Sequence, residues 1–127
     1  MPWELDSDRP IYAQIVDRLK HEIVSGFYPP GSRLPSVRDL AAQASVNPNT
    51  MQKAFTELER TGLIVTRRTS GRTVTEDTAL IEQVRSELAE LQISQFLTRM
   101  QHLGYQKDDS IRLLGQKGGK FMTQTSV

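Results

Sequence analysis

Apolar residues recur at every fourth position from Ile11 through Ile15 and Leu19 to Ile23, and Tyr12, Val16 and Val24 widen the stripe. This is the inner face of an amphipathic helix of about four turns. Pro10 suits its first turn, and Gly26 suits the left-handed position after its end. Tyr28 to Pro35 holds three prolines, which remove amide donors and favour extended geometry, so the segment is predicted as an ordered connector. Ser36-Val-Arg-Asp39 has the form of a capping box, hydroxyl and carboxylate each satisfying an orphan amide. It opens a short second helix with Val37, Leu40, Ala41 and Ala44 facing inward. Ser45-Val46-Asn47 interrupts the pattern. Asn47 as cap and Pro48 at the first helical position then start a third helix, which runs to about Arg60 and is stopped by Gly62. Met51, Ala54, Phe55 and Leu58 form its inner side; Asn49, Gln52, Lys53 and Thr56 are left outside.

Two short helices joined by a tight turn, after a longer helix, form a helix-turn-helix pattern. Leu63 to Arg68 and Arg72 to Thr75 are β-prone runs separated by Thr69-Ser70-Gly71, which reads as a hairpin with a glycine-bearing turn. Together these elements predict a winged helix. Beyond Glu76 a long helix runs from about Thr78 to Leu103. Ile81, Val84, Leu88 and Leu91 keep one spacing, and Ile93, Phe96, Met100 and Leu103 repeat it in a shifted phase. A straight two-stranded seam keeps one phase, so this helix either presents two faces or bends near Ser94-Gln95. Gly104 ends it, and Asp108 is placed to cap a short helix carrying Ile111, Leu113 and Leu114. From Gln116 onward the glycines and polar end predict a frayed tail. The expected fold is mainly α with a small β-hairpin: a winged helix-turn-helix over residues 1–76, a two-helix dimerisation segment over 77–115, and a disordered tail over 116–127.

Composition narrows the class. The chain has 127 residues, 37% hydrophobic and 24% charged, enough for a small core and too few for two large domains. No stretch is apolar for long enough to span a membrane, and no secretory signal is visible. Without cysteine, neither disulfides nor thiolate zinc ligation nor thiol catalysis is open to it, which fits a reducing cytoplasm. His21 and His102 are isolated, so no metal site is expected, and no cofactor motif appears. The net charge of +1 hides a local feature: Arg60 to Thr75 contains four arginines and no acid. Such a segment in a nearly neutral chain suggests an anionic partner, although a solvated basic loop would look the same.

The third helix, beginning Asn47-Pro-Asn-Thr-Met-Gln-Lys53, carries amides, a hydroxyl and an amine suited to double-stranded DNA. Asn47, Asn49, Thr50, Gln52 and Lys53 are the groups that read base edges or hold phosphates in a major groove. Its first amides are also open to a phosphate. Taken singly, Asn47 is equally a cap and Gln52 a solvated side chain; the set at a helix start after a tight turn favours recognition. Arg38, early in the second helix, either binds phosphate or pairs with Asp39 or Glu57. Arg67, Arg68 and Arg72 would lie along the backbone or enter the minor groove, with Gly71 allowing close approach or serving only the turn.

Pro30-Gly-Ser-Arg-Leu-Pro-Ser-Val-Arg-Asp-Leu-Ala41, Val46-Asn-Pro-Asn-Thr-Met-Gln-Lys-Ala-Phe55 and Leu58-Glu-Arg-Thr-Gly-Leu-Ile64 resemble the GntR family of bacterial transcription regulators. The Asn-Pro-Asn-Thr run and the short C-terminal part resemble its YtrA-like subgroup. The likeness covers about residues 9–75. It implies a dimeric winged-helix regulator, by family expectation a repressor, on a palindromic operator. Arg38, Asn47, Asn49, Gln52 and Gly71 fall at the family's DNA-contacting positions. The wing tip is less glycine-rich than is common in the family, and the third helix lacks an arginine that many relatives carry at its start, so the target sequence does not transfer.

The second half offers Ile81, Val84, Leu88, Leu91, Phe96 and Met100 as a dimerisation surface, because two helices cannot bury that much apolar area alone. The alternative is that they fold back on the first helix. A small-molecule effector pocket has room only between subunits or against the first domain, and no residues point to one. A winged helix used for protein or RNA contacts is the second reading. Catalysis is the third and least supported reading, because no serine–histidine–carboxylate set or phosphate-binding glycine loop appears, and no enzyme is expected.

Overall fold

The computed structural model describes residues 3–125, and side chains over 3–117. Its elements are α1 (Ile11–Val24), α2 (Val37–Ala44), α3 (Pro48–Thr61), β1 (Ile64–Arg67), β2 (Gly71–Val74), α4 (Thr78–His102) and α5 (Lys107–Thr125). The predicted stripes point inward: Ile15, Leu19 and Ile23 of α1 meet Leu40, Ala41 and Ala44 of α2 and Met51, Ala54, Phe55 and Leu58 of α3 in one core. Phe55, Met51 and Leu58 are wholly buried. Ser36 caps α2 by accepting the Asp39 amide at 3.0 Å, the hydroxyl half of the expected box. Ser45 then turns the chain in the left-handed region (φ 58°), and the Val46 amide donates back to the Ala41 carbonyl at 3.0 Å. A serine in this region costs on the order of 1 kcal/mol, offset by the hydrogen-bonded turn that aims α3.

The connector does more than link. The Gly31 amide donates to the Val74 carbonyl, that of Val74 to Ser32, and that of Leu34 to Arg72, at 2.9–3.0 Å, while Arg33 bridges Thr73. Ser32 to Leu34 is in effect a third strand on the β1–β2 hairpin. In that hairpin Arg67 pairs with Gly71, so the turn is Arg68-Thr69-Ser70 and Gly71 (φ 71°) belongs to β2, which begins one residue earlier than the sequence pattern placed it. A three-residue loop closing on a left-handed glycine is a common hairpin solution. Before α1, Gln14 is buried and clasps the N-terminal arm, accepting from the Asp6 amide and donating to the Asp6 carbonyl, both at 2.7 Å.

The chain divides into two compact units between Ser86 and Glu87 rather than at residue 76. The first unit claims the start of α4, where Asp77 caps the helix by accepting the Leu80 amide at 3.1 Å and Ile81 joins the core with Leu80 and Val84 against it. Ile81 is therefore occupied within its own chain, and Val84 partly so. α4 is unbroken at Ser94-Gln95. In the second unit Leu91, Ile93, Leu103, Ile111 and Leu114 are 52–73% exposed. Gly104 (φ 96°) ends α4 as expected. α5 departs from expectation twice. Its cap is Gln106, whose amide is taken by the Asp109 carboxylate at 3.0 Å; Asp108 lies in the first turn. It also runs past Gln116 to Thr125, through Gly118-Gly119, where a frayed tail was expected; residues 126–127 of that tail lie outside the described residues. Glycine in a helix costs about 1 kcal/mol and does not block it as proline would.

Core burial gives a direct test. Phe55→Ala is expected to lower unfolding free energy by about 3–5 kcal/mol in urea titration. A loss below about 1 kcal/mol would mean that Phe55 does not anchor α3.

Candidate nucleic-acid interface

The outer side of α3 is open. Asn47, Asn49, Gln52 and Lys53 are exposed and Thr50 is half-buried, so all five remain on one polar surface beside the turn that precedes the helix. The start of the helix is less open than expected. Pro48 has no amide; the Asn49 amide donates to the Asn47 side chain at 2.8 Å, and those of Thr50 and Met51 donate to the Asn47 carbonyl at 3.0 and 3.1 Å. With the first turn satisfied internally, the amides expected to take a phosphate are engaged within the helix start. The cap uses the Asn47 oxygen and leaves its amide group outward. Lys53 places its ammonium 4.0 Å from the centre of the Tyr12 ring, a cation–π contact that fixes the stem while the helix surface stays open. Gln52 donates to the Thr56 hydroxyl at 3.3 Å, a long bond easily exchanged for a better acceptor.

The basic segment splits into two kinds of arginine. Arg60 pairs with Glu57 through two bonds; that hydrogen bonding holds the Glu57 carboxyl below, and the Arg60 guanidinium above, its ordinary pKa. Arg72 turns back onto the body, its Nε 2.7 Å from the Glu59 carboxylate and its guanidinium 5.3 Å from the centre of the Phe55 ring. Arg72, expected as a wing contact, is thus engaged with α3. Arg67 and Arg68 are exposed, as is Arg38, and among the described residues none of the three has an acidic partner. Since Glu57 is taken by Arg60, the surface pair offered as the alternative role of Arg38 is not formed with it. Gly71 is open to solvent and its positive φ meets the needs of the turn. Sequence reasoning missed Arg33, exposed on the connector strand beside the wing; its only signal was a basic residue between prolines.

A tri-helical core, an uncovered polar helix behind a tight turn and a cationic hairpin define a winged helix-turn-helix DNA-binding regulator. The chain belongs to the bacterial regulatory proteins of the gntR family, whose model matches residues 11–74. It is 35% identical over 108 residues to the HTH-type transcriptional regulator YhcF of Bacillus subtilis, spanning 85% of this chain and 89% of that one. It is 40% identical over 100 residues to the HTH-type transcriptional repressor YtrA of the same organism, covering 77% and 76%. A GntR family transcriptional regulator from Listeria monocytogenes superposes with a TM-score of 0.79 at 41% identity, covering 88% of this chain and 98% of that one. The chain is a YtrA-like member of this family, which is one of transcription regulators rather than enzymes. No helix among the described residues is long and apolar enough to cross a membrane.

The two arginine classes should separate in salt titrations on duplex DNA. Arg68→Ala is expected to reduce the slope of log affinity against log salt by about 1. Arg72→Ala is expected to leave that slope unchanged and to lower the thermal midpoint; equal slope losses would place Arg72 on the DNA instead.

Proposed function

We propose that the protein represses transcription by binding an inverted-repeat operator as a homodimer, with α3 in the major groove. The observation that carries this reading is the uncovered polar side of α3, where Asn47, Asn49, Gln52 and Lys53 are exposed and Thr50 is half-buried beside them. Gln and Asn amides pair bidentately with adenine edges, each good pair contributing about 1–3 kcal/mol of discrimination. Arg38, Arg67 and Arg68 hold the flanking phosphates, which fix register without reading sequence.

Dimerisation is supported by the second unit. Leu91, Ile93, Ile111 and Leu114 are each more than half exposed, a density of apolar surface that soluble monomers rarely leave in water. Leu88, Phe96 and Met100, half-buried in one copy, complete the surface, while Ile81 drops out of it and Val84 lies at its margin. A two-fold dimer presents two α3 helices to half-sites one helical turn apart, which a single small head needs for useful specificity. The sign of regulation follows the relative named a repressor. Such a regulator meets its operator in the bacterial cytoplasm; among the described residues no cluster of groups points to a small-molecule effector.

Sequence selection from a random DNA pool is expected to return an inverted repeat, and Gln52→Ala to lose preference for that site while keeping affinity for random duplex. Equal loss on both would remove Gln52 from base reading, and uniformly weak binding without site preference would favour a protein or RNA partner. Sedimentation of the full chain at micromolar concentration is expected to give a dimer that Leu91→Glu dissociates; a monomeric wild type would overturn the dimer.

A further inference from the structure

Resting on this DNA-binding reading, we propose that Arg33 and Arg67 grip one backbone phosphate between them, across the notch left by Gly71. Arg33 pairs with Thr73, Thr73 with Val65, and Gly71 with Arg67. Directly opposed residues of neighbouring strands share a face of the sheet, as do residues two apart along a strand. Arg33, Val65, Arg67, Gly71 and Thr73 therefore stand on one side. The other side carries Ile64 and Val74, both buried in the core, and Arg72, which turns to Glu59. The glycine supports the assignment: a Cβ built on Gly71 would lie 3.9 Å from the Nε of Arg33 and 4.0 Å from its Nη2.

On that side Arg33 stands in the row of Thr73 and Val65 with its guanidinium leaning toward Gly71, and Arg67 stands beside the bare backbone of Gly71 in the next row. Both guanidiniums are exposed, and among the described residues neither has a carboxylate partner. Two unpaired cations on one side of a small sheet repel each other, and a phosphate seated between them removes that repulsion. Each guanidinium brings a planar fork that matches phosphate oxygens. Gly71 supplies the depth, because any side chain there would rise into the gap. The connector strand makes the arrangement firm: three backbone hydrogen bonds to β2, with partners on both sides of Arg33, hold its main chain in register with the wing.

The test compares wild type, Arg33→Ala, Arg67→Ala and the double variant by anisotropy on one operator-length duplex from low to moderate salt, with thermal midpoints as a check on folding. Each single variant is expected to bind about tenfold more weakly, as loss of a charged hydrogen bond implies. Because the two share a phosphate, the double variant is expected to fall well short of the product of the single losses. Its salt slope should drop by about 1 rather than about 2. Arg33→Ala binding like wild type, or losses that multiply with a slope change of about 2, would overturn the shared grip. A wild-type protein with no salt-dependent duplex binding would instead overturn the functional reading on which it rests.

Discussion

Burial of one side of α3 is the constraint on which the molecule depends. Met51, Ala54, Phe55 and Leu58 leave no freedom on the inner side, so the helix cannot roll, and whatever stands opposite is held outward with the rigidity of the core. Close packing transmits small displacements rather than absorbing them. The left-handed Ser45 and the Asn47 cap decide where that rigid face begins. Stability and recognition are therefore two sides of a single helix.

Charge follows the same division of labour. Glu57 and Glu59, also on α3, each take one arginine of the basic segment. Surface pairs such as Arg60–Glu57 add little stability, but both pairs change which cations face a polyanion. A formal count of four arginines between Arg60 and Thr75 thus overstates the free positive charge of the wing. Arg33 offsets part of the difference from a segment remote in sequence.

What was legible in the chain is local. Helix faces, the Ser36 and Asn47 caps, the stops at Gly62 and Gly104, and the hairpin all follow from spacing and turn chemistry within a few residues, and the polar set on α3 follows with them. What was not legible depends on distant partners. The connector becomes a strand only because β2 lies beside it, and nothing in Gly31 to Leu34 announces that pairing. Arg72 cannot be assigned without knowing that Glu59 is in reach. Ile81 kept the spacing of an interface residue, yet the core claimed it, because periodicity gives the side of a helix and not what will cover it. In α5 the glycines read as a break, whereas their penalty was only a propensity.

The third strand also has a mechanical meaning. A hairpin tethered only by its two ends would flap as a unit, whereas here the base is stapled along its length by hydrogen bonds from Gly31, Leu34 and Val74. Only the tip, Arg68 to Ser70, projects past the last paired row. The wing is a stiff bracket with a short pliable lip. Loop tips are where chains accept added residues, so relatives could lengthen or recompose this lip, or an engineer could graft a different reader onto it, without disturbing the bracket or the helix it serves.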